Sequence, residues 1–163
     1  MKVESSFLAG TGSLFVDMQT ANYINDLKRI ALNAGWEPGT PLIDLTGGSP
    51  GANVILGGRI LGNPGAFGDF KGTGAFTKDV LNMCPRSELD AAWILTAPSG
   101  SIKLPEDILP EIGLNFPKGY KVVGTVRLIV ASYKEEAIIG YGDEFQVLWK
   151  PLNHHAGKSD IGL

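Results

Sequence analysis

The sequence has 163 residues and a formal net charge of −3, with 44% hydrophobic and 19% charged residues. This composition suits one globular domain with an adequate core and excludes general disorder. No long basic run is present, so we expect no nucleic-acid binding. No apolar stretch reaches the roughly 18 residues that a membrane span needs, so we expect no membrane insertion by this chain. Cys84 and the pair His154-His155 are too few for a disulfide or a recognisable metal site, and no metal is predicted.

The first half of the chain reads as a strand, a helix, a strand and a second, shorter helix. Leu14–Val16 is predicted to form a short edge strand. Thr20 is expected to cap the first helix, in which apolar residues recur at spacings of three and four until Gly35 ends it. Leu42–Thr46 is apolar on both faces, which predicts an interior strand covered on both sides. Pro50–Leu56 then predicts a short helix.

The second half is predicted to add three helical segments and a closing hairpin. The predicted elements are a small strand at Ile60-Leu61, a helix over Thr73–Met83, a helical turn at Ser87–Ala91, a strand over Ala92–Ala97, a short helix opened by Leu104 and ended by Gly113, and long strands over Tyr120–Ala131 and Ala137–Trp149. Thr73 is expected to cap the Thr73–Met83 helix, and Phe76, Val80 and Leu81 are expected to face inward. Alternating strands and helices predict an α/β fold: a Rossmann-like three-layer sandwich with a mostly parallel sheet and a C-terminal antiparallel hairpin. We assign residues 1–13 to an N-terminal arm, 14–151 to a single α/β domain and 152–163 to a polar C-terminal tail.

The corner between the Leu42–Thr46 strand and the following helix is the candidate binding site. Ser49 is expected to cap that helix, and backbone N–H groups at a helix N-terminus favour bound anions. Asp44 lies inside an apolar strand, where its carboxylate needs a partner, and we expect it to accept N–H bonds from the glycine corner. A second candidate segment is the aromatic, glycine-rich loop 62–72. The candidate ligand-binding residues are Asp44, Thr46, Gly47, Gly48, Ser49, Gly51, Phe67 and Phe70.

The corner fits one catalytic motif and lacks two nucleotide-binding motifs. Gly47-Gly48-Ser49-Pro50-Gly51 fits the G-x-S-x-G nucleophile elbow of serine hydrolases, and Asp143 and His154 follow in the appropriate order. However, Pro50 has no N–H to contribute to an oxyanion hole, and His154 lies in the polar tail. The G-x-G-x-x-G spacing and the lysine of a P-loop are also absent. No catalytic residue and no cofactor are therefore predicted.

Four segments carry a family resemblance that covers roughly residues 14–151. They are Phe15-Val16-Asp17, Pro38 to Gly51, Ala92-Trp93-Ile94-Leu95 and Leu148-Trp149-Lys150-Pro151. Together they resemble the soluble C-terminal domain of uncharacterised bacterial polytopic membrane proteins of glycosyltransferase-like type. For an excised domain, the resemblance implies an extracytoplasmic site beside a lipid-linked sugar. A complete, free-standing chain is instead expected in the cytoplasm. The resemblance implies no catalytic residue.

Three functions remain open from the sequence. The first is a non-catalytic domain, either accessory or binding a small molecule, with its site at the Gly47–Gly51 corner. The second is a small transferase that binds a nucleotide or sugar phosphate at the same corner. The third is a structural module that forms a homodimer through the edge of its hairpin.

Overall fold

The computed structural model describes residues 2–6, 13–47, 51–62, 71–100, 103–134 and 137–152. In chain order the elements are β1 (Lys2–Ser6), β2 (Ser13–Asp17), α1 (Met18–Asn33), β3 (Pro41–Asp44), α2 (Gly51–Leu56), β4 (Arg59–Ile60), α3 (Thr73–Asn82), α4 (Arg86–Ala91), β5 (Trp93–Thr96), α5 (Ile108–Glu111), β6 (Tyr120–Lys134) and β7 (Ala137–Pro151). The predicted helix cap at Ser49 with Pro50, and residue His154, lie outside the described residues.

A five-stranded mixed sheet has the strand order β4-β3-β5-β7-β6. β3 lies between β4 and β5 and is parallel to both, which confirms the interior position predicted for this strand. β7 pairs antiparallel with β5 on one side and with β6 on the other. Because β6 and β7 have 15 residues each and β3 and β5 only four, antiparallel pairing dominates the sheet. The prediction of a mostly parallel sheet is therefore wrong, and a Rossmann-like arrangement is not confirmed.

A separate antiparallel hairpin of β1 and β2 contacts α1. The sequence predicted β2 but not β1, which lies in the segment assigned to the arm. α1 follows β2 directly, and Asp17 Oδ1 accepts hydrogen bonds from the backbone N–H groups of Gln19 and Thr20 at 2.9 and 3.0 Å. Asp17 is therefore the N-cap of α1, and the prediction that Thr20 caps this helix is wrong. Gly35, with φ of 84°, follows the helix end as predicted.

Apolar side chains form two clusters, one on each face of the sheet. Successive strand residues point to opposite faces, so Leu42 joins the cluster under α1 and α2, whereas Ile43 joins the cluster under α3, α4 and α5. The α1-side cluster also contains Trp36 and Trp93, whose rings meet edge to face with centroids 5.1 Å apart. The described fold is therefore a mixed α/β domain with helices on both faces of its sheet.

The buried stripe of α3 agrees only in part with the one predicted. Leu81 faces inward as predicted, but the N-cap is Gly72, so the prediction that Thr73 caps this helix is wrong. Thr77 and Leu81, four residues apart, are both fully buried, as expected for one face of a helix. Phe76 lies one position away from this stripe and is 41% exposed, so the prediction that it faces inward is wrong. The stripe therefore includes a buried threonine hydroxyl beside an apolar core.

Candidate functional site

The carboxyl end of β3 places an acidic side chain on the buried α1 side of the sheet. Asp44 is the last residue of β3 and shares the face of Leu42, two residues earlier. It is only 8% exposed. A carboxylate in such a position must be hydrogen-bonded or change its protonation, because the interior stabilises charge poorly. Asp44 is thus the point from which the candidate site is built.

Asp44 holds the beginning of the corner that follows β3. Its Oδ1 atom accepts a hydrogen bond from the Thr46 backbone N–H at 2.9 Å and another from the Thr46 hydroxyl at 2.7 Å. This local turn is typical of aspartate two residues before a bend. Gly47 follows with a φ of 74°, a left-handed conformation that suits glycine. Among the described residues, Thr46 is therefore a partner of Asp44. Gly48 and Ser49, whose N–H groups were predicted to bind Asp44, lie outside the described residues.

Two further polar side chains, both from β7, lie on the same face of the sheet as Asp44. Glu144 and Gln146 are two residues apart on the face that also carries the buried Leu148, and they are 8% and 0% exposed. The Tyr23 hydroxyl of α1 donates to Gln146 Oε1 at 2.8 Å, and Gln146 Nε2 donates to Glu144 Oε1 at 3.2 Å. We call Tyr23, Asp44, Thr46, Glu144 and Gln146 the polar cluster.

Burial and charge act together on the ionisable groups of the polar cluster. Desolvation raises the pKa of Asp44 above its ordinary value of 3.8, and the negative charge of Glu144 raises it further, although the Thr46 hydrogen bonds oppose the change. The pKa of Tyr23 is raised by burial and then by the charges of Asp44 and Glu144. Tyr23 therefore remains a neutral hydrogen-bond donor at neutral pH.

The turn after β5 packs against the acidic side of the polar cluster. A Cβ atom added to Gly100 would lie 3.2 Å from Glu144 Oε2 and 3.0 Å from Ala97 Cβ, so only glycine fits there without displacement. The Ser99 hydroxyl also accepts a hydrogen bond from the Phe145 backbone N–H at 3.3 Å. The segments that follow two parallel strands, β3 and β5, thus meet β7 at one edge of the sheet.

The structure brings together only part of the predicted site. Asp44, Thr46 and Gly47 lie at the polar cluster, and Gly51 begins α2 with an exposed backbone. Gly48, Ser49, Phe67 and Phe70 lie outside the described residues.

Sequence reasoning missed three members of the polar cluster. Glu144 and Gln146 alternate with Phe145 in a strand whose next inward residue is Leu148, and this alternation was the available signal. Tyr23 precedes the buried Leu27 by four residues, so the helical period also placed it on the inner face of α1.

Of the three residues considered for a hydrolase, only Asp143 lies among the described residues. Asp143 is 45% exposed and pairs with Arg127 at 2.8 Å on the β6–β7 hairpin. No group of three or more His, Cys, Asp or Glu side chains that could hold a metal ion occurs within the described ranges. In the same ranges, no helix has the length and apolar character needed to cross a membrane. Comparison with protein-family models, with curated proteins and with solved structures gave no match.

Proposed function

We propose that this chain is a non-catalytic small-molecule-binding domain, with its ligand at the carboxyl edge of β3. The observation that carries the proposal is the pair of nearly buried carboxylates, Asp44 and Glu144, on one wall of the sheet. In sheets with parallel strands, small molecules bind at the carboxyl edge, where the loops leave the strands. The polar cluster lies at this edge.

The chemistry of the polar cluster favours a ligand that donates hydrogen bonds. Ionised carboxylates only accept hydrogen bonds, so Asp44 and Glu144 suit hydroxyl or ammonium groups. If the chain is an excised domain, the family resemblance implies a site beside a lipid-linked sugar, and a sugar ring carries hydroxyl groups of this kind. A polyhydroxylated ligand is therefore the form of the proposal that we would test first.

A transferase that binds a nucleotide or sugar phosphate at the same corner is the alternative. Its support is the glycine-rich turn at Gly47, since N–H groups at such turns bind anions. Two carboxylates beside the turn repel a phosphate and count against this alternative. The Thr46 N–H, moreover, is already used by Asp44.

The test is a thermal-shift screen with three compound sets: neutral sugars and polyols, amines, and nucleotides with sugar phosphates. A ligand at 100 times its Kd should stabilise the protein by about 2.7 kcal/mol. Each hit is then repeated with Glu144→Gln, which keeps the side-chain shape and removes the charge. The matched control is Asp143→Asn, because the neighbouring carboxylate is exposed and points away from the polar cluster.

The proposal predicts that a sugar or amine stabilises the native chain and the Asp143→Asn variant but stabilises Glu144→Gln much less. Hits confined to phosphate-bearing compounds would replace it with the transferase alternative. Equal stabilisation of all three proteins would show that the ligand does not bind at Glu144. If no compound stabilises the protein, both the ligand-binding proposal and the transferase alternative are wrong.

Homodimer formation through the hairpin is a separate proposal. Its support is the position of β6, a 15-residue strand at one edge of the five-stranded sheet. Light scattering across a concentration series tests it directly. A mass that stays monomeric at the highest concentration would remove this proposal and leave the ligand proposal untouched.

A further inference from the structure

A groove lies at the opposite end of the domain from the polar cluster. It runs between the last turns of α1 and the beginning of β6 and has a volume of about 300 Å³. This volume is at the lower end of the range for small-molecule sites. The lining residues are Arg29, Ile30, Asn33, Ala34, Lys121, Val122 and Val123. None of these residues belongs to the site proposed above.

An irregularity in β6 lies in the wall of the groove. The pairing register of β6 with β7 shifts between Val122 and Gly124, which makes Val123 an extra residue in the strand. Gly124 lets α1 approach closely, because a Cβ atom there would lie only 2.5 Å from Ile30 Cγ2. The helix therefore contacts the strand at Gly124, and the groove opens beside the extra residue. Such bulges redirect side chains in sheets and often occur next to binding sites.

The groove combines an apolar wall with positive charge. Ile30, Val122 and Val123 supply the apolar surface, and Val122 is left 51% exposed. Lys121 lies in the groove wall, and no charged or hydrogen-bonding partner for its ammonium occurs among the described residues. Arg29 pairs with Asp26 through one nitrogen at 2.9 Å and is 62% exposed, so its remaining donors stay accessible. Arg29 and Lys121 carry two positive charges and Asp26 carries one negative charge, so the net charge beside the groove is positive.

The negative end of α1 does not cancel this positive charge. Helix C-termini normally attract cations because their last carbonyl groups are unpaired. Here Lys150 Nζ reaches across from β7 and donates to the Ala34 carbonyl at 2.6 Å. The helix end therefore already has its cation, and the charges of Arg29 and Lys121 remain available to a ligand.

We propose that this groove binds a small carboxylate with a short apolar chain. The carboxylate contacts Arg29 and Lys121, since a guanidinium group matches carboxylate geometry. The apolar chain lies against Ile30, Val122 and Val123. Charge complementarity favours an anion, and the exposed valine favours a ligand with an apolar part, so neither an amine nor an inorganic anion satisfies both features.

Titration with octanoate, followed by backbone amide NMR, tests the proposal. Binding in about the millimolar range is expected for a ligand of this size. Amide shifts should concentrate at residues 29–34 and 121–123. Octylamine keeps the chain and reverses the charge, and inorganic phosphate keeps the negative charge without the chain, so both should bind at least about fivefold more weakly.

Variants then assign the contacts. Lys121→Gln should weaken octanoate binding by about fivefold, the factor expected for losing one exposed ion pair. Lys71→Gln is the matched control, because Lys71 is exposed and does not line the groove. Unfolding midpoints should be the same for both variants, since both side chains lie at the surface. Equal binding of octanoate and octylamine, shifts outside the groove, or equal affinity of the two variants would each overturn the proposal.

Discussion

Replacing Thr77 with valine should stabilise this protein. Thr77 lies on the buried stripe of α3 with no exposed surface, and its hydroxyl has no hydrogen-bond partner among the residues that the structure describes. Leaving a buried polar group unsatisfied costs about 1–3 kcal/mol. Valine keeps the shape of threonine, removes the hydroxyl and has a similar helix propensity. We therefore expect Thr77→Val to raise the free energy of unfolding by about 1 kcal/mol, the lower end of that range.

Thr96 provides the matched control because it is equally buried but satisfied. Its hydroxyl oxygen accepts a hydrogen bond from Trp149 Nε1 at 3.1 Å. Thr96→Val should therefore leave the indole N–H without this acceptor and lower the stability by about 1–2 kcal/mol. Urea unfolding followed by circular dichroism measures both changes. A shift of 1 kcal/mol corresponds to about 2–4 °C in Tm for a domain of this size. If Thr77→Val destabilises the fold, or if both variants change stability in the same direction, the hydrogen-bond assignment is wrong.

Three further predictions concern the stability of single variants, one of them paired with a control variant. Burial raises the pKa of Asp44, so this group contributes its full stability below about pH 3.8 and the contribution is lost as pH rises through the folded-state pKa. Asp44→Asn should therefore gain stability relative to the native chain as pH rises above about 3.8, measured by urea unfolding. Lys150→Met should lower Tm by about 2–4 °C, because it removes the cation at the α1 carbonyl end. Gly124→Ala should cost about 1–3 kcal/mol through its clash with Ile30, whereas Gly142→Ala, with no atom within 4 Å of the added Cβ, should be nearly neutral in the same assay.

The local elements were largely predictable because they depend on nearby residues. The period of α1, its end at Gly35 and the apolar β3 and β5 strands all follow from side-chain spacing and glycine conformation. The cap was harder to predict, because Asp17 and Thr20 are both good capping residues and only the backbone geometry distinguishes them. β1 was missed, since its strand pairing depends on β2 and on packing against α1 rather than on its own pattern.

The arrangement of the sheet was not predictable from these signals. The sequence predicted a C-terminal hairpin, but no local pattern states that β7 pairs with β5 or that its partner β6 lies at the edge. Strand neighbours are chosen by contacts between distant parts of the chain, and one sequence carries no direct record of them. The same limit applies to the polar cluster, in which the Tyr23–Gln146 hydrogen bond joins residues 123 positions apart.

The incorrect sheet prediction and the two missed site residues of β7 have one physical cause. A parallel strand beside β5 would end at the same edge and leave only a loop there. β7 runs the other way, and its Val147 pairs with Thr96, the last residue of β5. Gln146 and Glu144 therefore extend past the end of β5 and form a side wall facing Asp44. The antiparallel strand thus supplies two of the five residues of the polar cluster, and substitution of Glu144 tests whether its side of the cluster binds the ligand.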